Sequence, residues 1–205
     1  MTTTPLDKPV RLTLGNLKGG SGRSTSGVFL ALALARQTGQ KVLLVDADKQ
    51  NGTTYEWSED AGDALPELVS VVYWPSLSFA KRVREHGHDG HVIIDTPNDA
   101  AILRQAFMVT DALIIPLAPT GNDVARLTPT FEAAAEVGMN RELGLGVVLS
   151  KAINGTKSRK LARKASRIWA TRCLTLKSRA KSAMRERLAQ PPAILETTPP
   201  CSQKS

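Results

Sequence analysis

Six short apolar runs punctuate the first three-quarters of the chain: RLTLGNL (11–17), KVLLVDA (41–47), VSVVYW (69–74), HVIIDT (91–96), DALIIPLA (111–118) and LGLGVVLSK (143–151). Their length suits strands. VLLV, VII and LII show no polar alternation, which predicts strands buried on both faces. Between the runs, residues 24–38, 76–86, 100–109 and 123–137 have the length and apolar spacing of helices. Strands alternating with helices at this pitch predict an α/β fold, a mostly parallel twisted sheet with helices on both faces.

Past Asn154 the texture changes. From Ser158 to Leu188, Leu161, Ala165, Ile168, Trp169, Cys173, Leu176, Ala180, Met184 and Leu188 recur near helical spacing, with Lys and Arg filling the other positions. This predicts one long or two shorter basic amphipathic helices. The final stretch, QPPAILETTPPCSQKS, is proline-rich and predicts a mobile tail. The expected organisation is a core over residues 1–156, a basic helical region over 157–188 that continues it, and the tail over 189–205.

Charge sharpens that division. Residues 1–156 carry 14 Lys and Arg against 17 Asp and Glu, whereas residues 157–205 carry 13 against 2. A near-neutral body with a basic C-terminal region points to a polyanion, nucleic acid or an anionic membrane surface. A solvated helix face is the blander alternative, but 12 basic residues between Lys157 and Arg187 meet one acid, Glu186, and such self-repulsion argues for a partner. No run approaches the roughly 18 to 20 apolar residues of a membrane span, and MTTTPLDKPV lacks a signal peptide's apolar region. The chain is therefore expected in the cytoplasm. Two cysteines, Cys173 and Cys201, are too few for a disulfide framework or a zinc site and read as reduced thiols.

The chemistry is concentrated where the first strand gives way to the first helix, in NLKGGSGRST (16–25). Gly19, Gly20 and Gly22 let successive backbone N–H groups turn inward, and the helix N-terminus adds its positive dipole end. Ser24 is placed to offer a hydroxyl to magnesium. Asp46 and Asp48 follow one strand and Asp95 another, where the carboxyl ends of parallel strands border a ligand crevice. Asp95 has the form of a Walker B aspartate ordering the magnesium shell, Asp48 is a candidate to orient the attacking water, and Asp46 to anchor the loop's lysine. A single Asp at a strand end is usually a cap or turn residue; three in this order beside a glycine loop are a site.

KGGSGRST, followed by VDADKQ, IIDTPN and IIPLAP, resembles the deviant Walker A ATPases of the ParA/MinD group, most closely the short ParA-type DNA-partition ATPases, over residues 10–151 or so. The resemblance implies a P-loop NTPase fold of the SIMIBI class. Lys18 matches the signature lysine that reaches a partner subunit's nucleotide. Gly19, Gly20, Ser21, Gly22, Arg23, Ser24 and Thr25 match the nucleotide-binding loop, Asp46 and Asp48 the two aspartates of D-x-D-P-Q, and Asp95 the Walker B position. Lys18, Arg23 and Asp48 are thus the expected catalytic residues, and Ser24, Asp46 and Asp95 the expected metal-site residues. The resemblance further implies ATP and Mg2+ as cofactors, a nucleotide-sandwich homodimer, DNA binding without sequence preference, and a ParB-like centromere-binding partner that stimulates hydrolysis on the nucleoid. The basic region supplies the expected DNA contacts: Lys157, Arg159, Lys160, Arg163, Lys164, Arg167 and Arg172. About ten residues precede the first strand, too few for the N-terminal helix-turn-helix of longer relatives, so non-specific binding is expected.

The chain departs from the family pattern in three places. Arg23 stands where the family has lysine, and its planar fork is not a conservative replacement at a crowded phosphate. Lys49 replaces the proline of D-x-D-P-Q. No strand ending in an I-P-x-R-like segment precedes the basic region. Two alternatives stand beside this reading: a MinD-like switch in which the amphipathic stretch from Ser158 to Leu188 settles on anionic lipid, and, from Arg23, an adaptor that binds nucleotide as a dimer clamp and cleaves it slowly or not at all. HGHDGH, with His86, His88 and His91, reads as a surface turn before a strand rather than a metal cluster. Trp57 and Trp74 read as packing residues.

Overall fold

A computed structural model describes residues 8–118, 120, 127–138 and 143–150. The expected DNA contacts from Lys157 to Arg172, Trp169, both cysteines and the proline-rich tail lie outside the described residues, as do Lys151 and residues 123–126 of the expected fourth helix.

All six expected strands form: β1 (Arg11–Leu14), β2 (Val42–Asp46), β3 (Val69–Tyr73), β4 (His91–Asp95), β5 (Ala112–Leu117) and β6 (Gly144–Leu149). They pair in parallel in the order β3-β2-β4-β1-β5-β6. The unbroken apolar runs occupy the middle of this order, and every residue of β2 and β4 is buried. The expected helices are α1 (Arg23–Thr38), α3 (Phe79–Glu85), α4 (Ala100–Phe107) and α5 (Thr128–Gly138). A further helix, α2 (Thr53–Ala61), was not expected from the sequence. TTYEWSEDA offers few apolar positions, and the residue before it is Gly52, in the left-handed conformation at φ 57° with no side-chain cap. The acceptor for its first turn comes instead from Asp46, nine residues before the N–H of Tyr55 that it binds.

The layers follow from the handedness of parallel crossovers. The chain first runs from β1 through β2 to the β3 edge, then turns back through β4, β5 and β6. Connections in opposite directions lie on opposite faces. On one face Val28, Ala31, Leu34 and Ala35 of α1 pack on Leu14, Val42, Leu44 and Ile93, with Trp57 of α2 at the side. On the other, Phe79 and Val83 of α3 cover Leu43, Val45 and Ile94, with Trp74 alongside, while Phe107 of α4 and Phe131 of α5 cover Leu113, Ile115 and Leu117. Both tryptophans therefore pack, as expected.

One consequence of this order positions the site. β1 and β4 are neighbours, yet the helix after β1 lies on one face and the helix after β4 on the other. Their carboxyl ends therefore diverge and leave a crevice, the switch point at which doubly wound sheets bind ligands.

Candidate nucleotide site

The glycine loop fills this switch point. It leaves β1 at Gly15, whose N–H donates to the Ile114 carbonyl at 3.1 Å, and enters α1 at Arg23. Gly20 and Gly22 have φ of 69° and 88°, a conformation that side chains disfavour and that lets consecutive N–H groups face one point. Ser26 N–H already donates to the Gly22 carbonyl at 2.9 Å. The N–H groups at the start of α1 have no side-chain cap at Gly22, which leaves the helix end suited to an anion.

Side chains far away in sequence hold the loop. Asn16, buried, donates from Nδ2 to the Pro116 carbonyl at 2.8 Å, and its Oδ1 accepts the Lys18 N–H at 2.9 Å. The Leu17 N–H donates to Thr130 Oγ1 at 3.1 Å, and Ser150 Oγ donates to the Ser21 carbonyl at 2.8 Å. Asn98 approaches the loop beside Gly19. Arg23 folds back on the loop: its Nη1 donates to the Asn16 carbonyl and, at 2.8 Å, to the Lys18 carbonyl. Burial lowers the pKa of the guanidinium while Asp95 and then Asp48 raise it, so its charge lies within reach of both carboxylates.

Asp46 and Asp95 stand directly across from each other on β2 and β4. Both are buried, at 0% and 1% exposure, and their surroundings differ in a way that separates their chemistry. Asp46 has both oxygens engaged by backbone: Oδ1 accepts the Asp48 N–H at 2.9 Å and Oδ2 the Tyr55 N–H at 3.0 Å. It ties β2 to the following turn and to α2. Burial raises its pKa, and these N–H donors oppose the rise. Named with the metal-site residues by the sequence, Asp46 thus sits as the anchor of the loop after β2.

Asp95 is less satisfied. Oδ2 accepts from Thr54 Oγ1 at 2.7 Å, whereas Oδ1 is buried and makes no hydrogen bond of normal geometry, the nearby Ser24 hydroxyl acting on the carboxylate without completing one. Burial pushes its pKa up to about 6; the Ser24 and Thr54 hydroxyls and Arg23 pull the other way, and Asp46 adds to the rise. A buried, orphaned carboxylate oxygen needs an explanation. With the Ser24 hydroxyl beside it the donor set is hard oxygen, the chemistry that suits Mg2+. The residues present fit the metal. Asp48 has its carboxylate turned into the loop: Oδ1 accepts the N–H groups of Gln50 (2.9 Å) and Asn51 (3.2 Å), and Oδ2 accepts Asn51 Nδ2 at 2.9 Å.

His91 opens β4, at the opposite end of that strand from Asp95. His91, in β4, is buried with Nδ1 accepting from Val10 N–H at 3.0 Å and Nε2 3.2 Å from Thr38 Oγ1. His86 packs against Trp74, ring centroids 5.4 Å apart and planes tilted by 59°.

A family profile described as an AAA domain matches residues 11–86, the stretch from β1 to the end of α3 that includes the loop, Asp46 and Asp48. The chain is 37% identical over 121 residues to the maintenance of carboxysome distribution protein A of Gloeobacter kilaueensis, covering 58% of this chain and 54% of that protein. It is 27% identical over 127 residues to the protein ParA of Rhizobium radiobacter, covering 61% and 56%. The structure superposes on a putative plasmid partition protein of Borrelia burgdorferi bound to AMPPNP, with a TM-score of 0.60 at 21% identity over 77% of this chain and 82% of the other. The chain thus shares the fold of a putative plasmid partition protein and resembles ParA-type proteins over its first part. The structural likeness establishes the ParA-like P-loop fold, and the chain spans little more than half the length of the two relatives. The loop and the three aspartates singled out from the sequence lie together at one end of the sheet, and Asn16, Thr54, Thr130 and Ser150 hold them there.

Proposed function

We propose that this protein is a partition-type ATPase that binds ATP with magnesium, closes into a nucleotide-sandwich dimer and, in that state, binds DNA without sequence preference to position a cargo. Asp95 is the observation that carries the reading: a buried carboxylate with one oxygen making no hydrogen bond, beside Ser24 in the first turn of α1, is a costly arrangement unless a cation completes it. Ser24 and Asp95 would hold the metal, which when bound supplies charge neutralisation between the terminal phosphates. The loop N–H groups from Gly19 to Thr25 would receive the phosphates. Lys18 would reach the partner copy's nucleotide, and Asp48 would orient water once released from its turn. The basic residues Lys157, Arg159, Lys160, Arg163, Lys164, Arg167 and Arg172 would contact DNA phosphates, two copies side by side in the dimer. Residues 1–156 would form the ATPase core, with 157–188 continuing it and 189–205 as a tail. A ParB-like partner would stimulate turnover on the nucleoid. Relatives named for ParA and for carboxysome distribution support a cargo that is either a replicon or a protein compartment.

A mobility assay with random duplex DNA tests this. Binding should require ATP and magnesium and fall steeply with salt. Absence of ATP-promoted binding at low salt would refute the DNA-partition reading, and vesicle co-sedimentation stronger than DNA binding would move it to a MinD-like switch. The engaged oxygens of Asp48 and the inward fold of Arg23 favour a variation on the reading, in which cleavage is slow and nucleotide serves mainly as a dimer clamp. Phosphate release compared between the wild type and Arg23→Lys, with DNA and partner present, separates the two: equal, robust turnover removes the clamp variation.

A further inference from the structure

We infer that Arg23 is a positioning residue that braces the loop from behind and fixes the peptide of Lys18, rather than a residue that grips phosphate. The inference rests on the nucleotide-site reading and deepens it. In a nest the N–H groups converge inward and the carbonyl oxygens are left pointing out. Three outward carbonyls of this loop have donors: Ser21 takes Ser150 Oγ, while Asn16 and Lys18 share one guanidinium nitrogen, Arg23 Nη1.

Around Lys18 this makes a closed circuit. Its N–H is held by Asn16 Oδ1, its carbonyl by Arg23, and Asn16 is pinned to the Pro116 carbonyl at the end of β5. Both ends of the residue that carries the family's signature lysine are therefore fixed before any ligand arrives. A hydrogen bond to a charged donor is stronger than a neutral one, and the guanidinium fork loses little freedom in making two at once. Arg23 also brings a positive charge to the strand ends that carry Asp95 and Asp48.

A phosphate-gripping residue and a brace respond differently to substitution. The full-length chain is compared as wild type, Arg23→Met, which keeps length and loses every donor, and Arg23→Lys, which keeps the charge and can still donate. Circular dichroism and thermal melting establish that each variant folds. Two quantities are then read: amide hydrogen exchange at Leu17 and Lys18 in nucleotide-free protein, and calorimetric affinities for ATP and ADP in magnesium. The brace predicts that Arg23→Met exchanges roughly tenfold faster or more at these two amides and weakens ATP and ADP by a common factor. The ATP-to-ADP ratio should stay within about twofold, and Arg23→Lys should recover part of both. Unchanged exchange together with a loss confined to ATP would overturn it, because that is the signature of a direct contact to the terminal phosphate. Failure of the wild type to bind either nucleotide would overturn the proposed function, and the exchange comparison would still judge the brace, since it is made without nucleotide.

Discussion

Replacing Asp95 with asparagine should make the nucleotide-free protein more stable at neutral and alkaline pH, although it removes the residue placed at the centre of the site. The carboxyl is buried with one oxygen unpaired, and burial raises its pKa to about 6. In the unfolded chain it titrates near the ordinary value of 3.8. Between these two values the folded state holds a proton that the unfolded state has released, so this group's contribution to stability falls as pH rises from about 4 to about 6. Above that range the folded protein must hold a buried charge. A difference of about two units corresponds to about 3 kcal/mol. Asparagine keeps an acceptor for Thr54 Oγ1 and has no charge to bury.

Urea denaturation of the wild type and Asp95→Asn, without nucleotide or metal, from pH 4 to pH 8 measures this. The stability of the variant minus that of the wild type should climb by about 2.5 kcal/mol across the range, with m-values equal. Taking the difference cancels the titration of groups the two proteins share. A difference flat with pH would mean that Asp95 titrates alike in both states and carries no burial penalty in the nucleotide-free fold.

Other elements carry their own expectations. Asp46→Ala leaves the N–H groups of Asp48 and Tyr55 without their acceptor, which should cost about 1–3 kcal/mol for each that stays buried; denaturation of the variant checks it, and faster exchange should centre on α2. Thr54→Val removes the hydrogen bond that helps hold Asp95 ionised, so the Asp95 carboxyl should titrate at higher pH than in the wild type, read by carbon NMR of the side chain. A methyl group at Gly15 would run into the buried Leu103 and Leu113 side chains, so Gly15→Ala should destabilise by about 1–3 kcal/mol in thermal melts. His91 is buried, with both ring nitrogens placed against partners, and burial lowers its pKa; its contribution is present above pH 6.5 or so and lost as pH falls below it, and His91→Gln should flatten that part of the stability profile.

The legible parts of the molecule are those that local pattern determines. Strands β2 and β4 read as uninterrupted apolar runs because the sheet buries both of their faces, and a parallel α/β sheet followed from their alternation with helices, although the order of its strands did not. The loop was legible because glycine at positions 20 and 22 is demanded by backbone geometry. Helix α2 was not, because its first turn is satisfied by Asp46 from the neighbouring strand rather than by a cap of its own. The residues that hold the site escaped for the same reason. Thr130 meets Leu17 across 113 residues, Ser150 meets Ser21 across 129, and Asn16 meets Pro116 across 100. Asp46 and Asp95 each end an apolar strand in the sequence, and both were placed among the metal-site residues. Only the positions of the Asp48 and Tyr55 N–H groups show that one is saturated by backbone and the other holds an oxygen in reserve.

That reserve is what the account depends on, and an equilibrium titration of the full-length chain with a non-hydrolysable ATP analogue, with and without magnesium, tests it most directly. Saturable binding that magnesium strengthens is expected, with loss of the magnesium effect in a chain carrying both Ser24→Ala and Asp95→Ala. Binding equally tight with and without magnesium in the wild type, or no saturable binding at millimolar analogue, would contradict it.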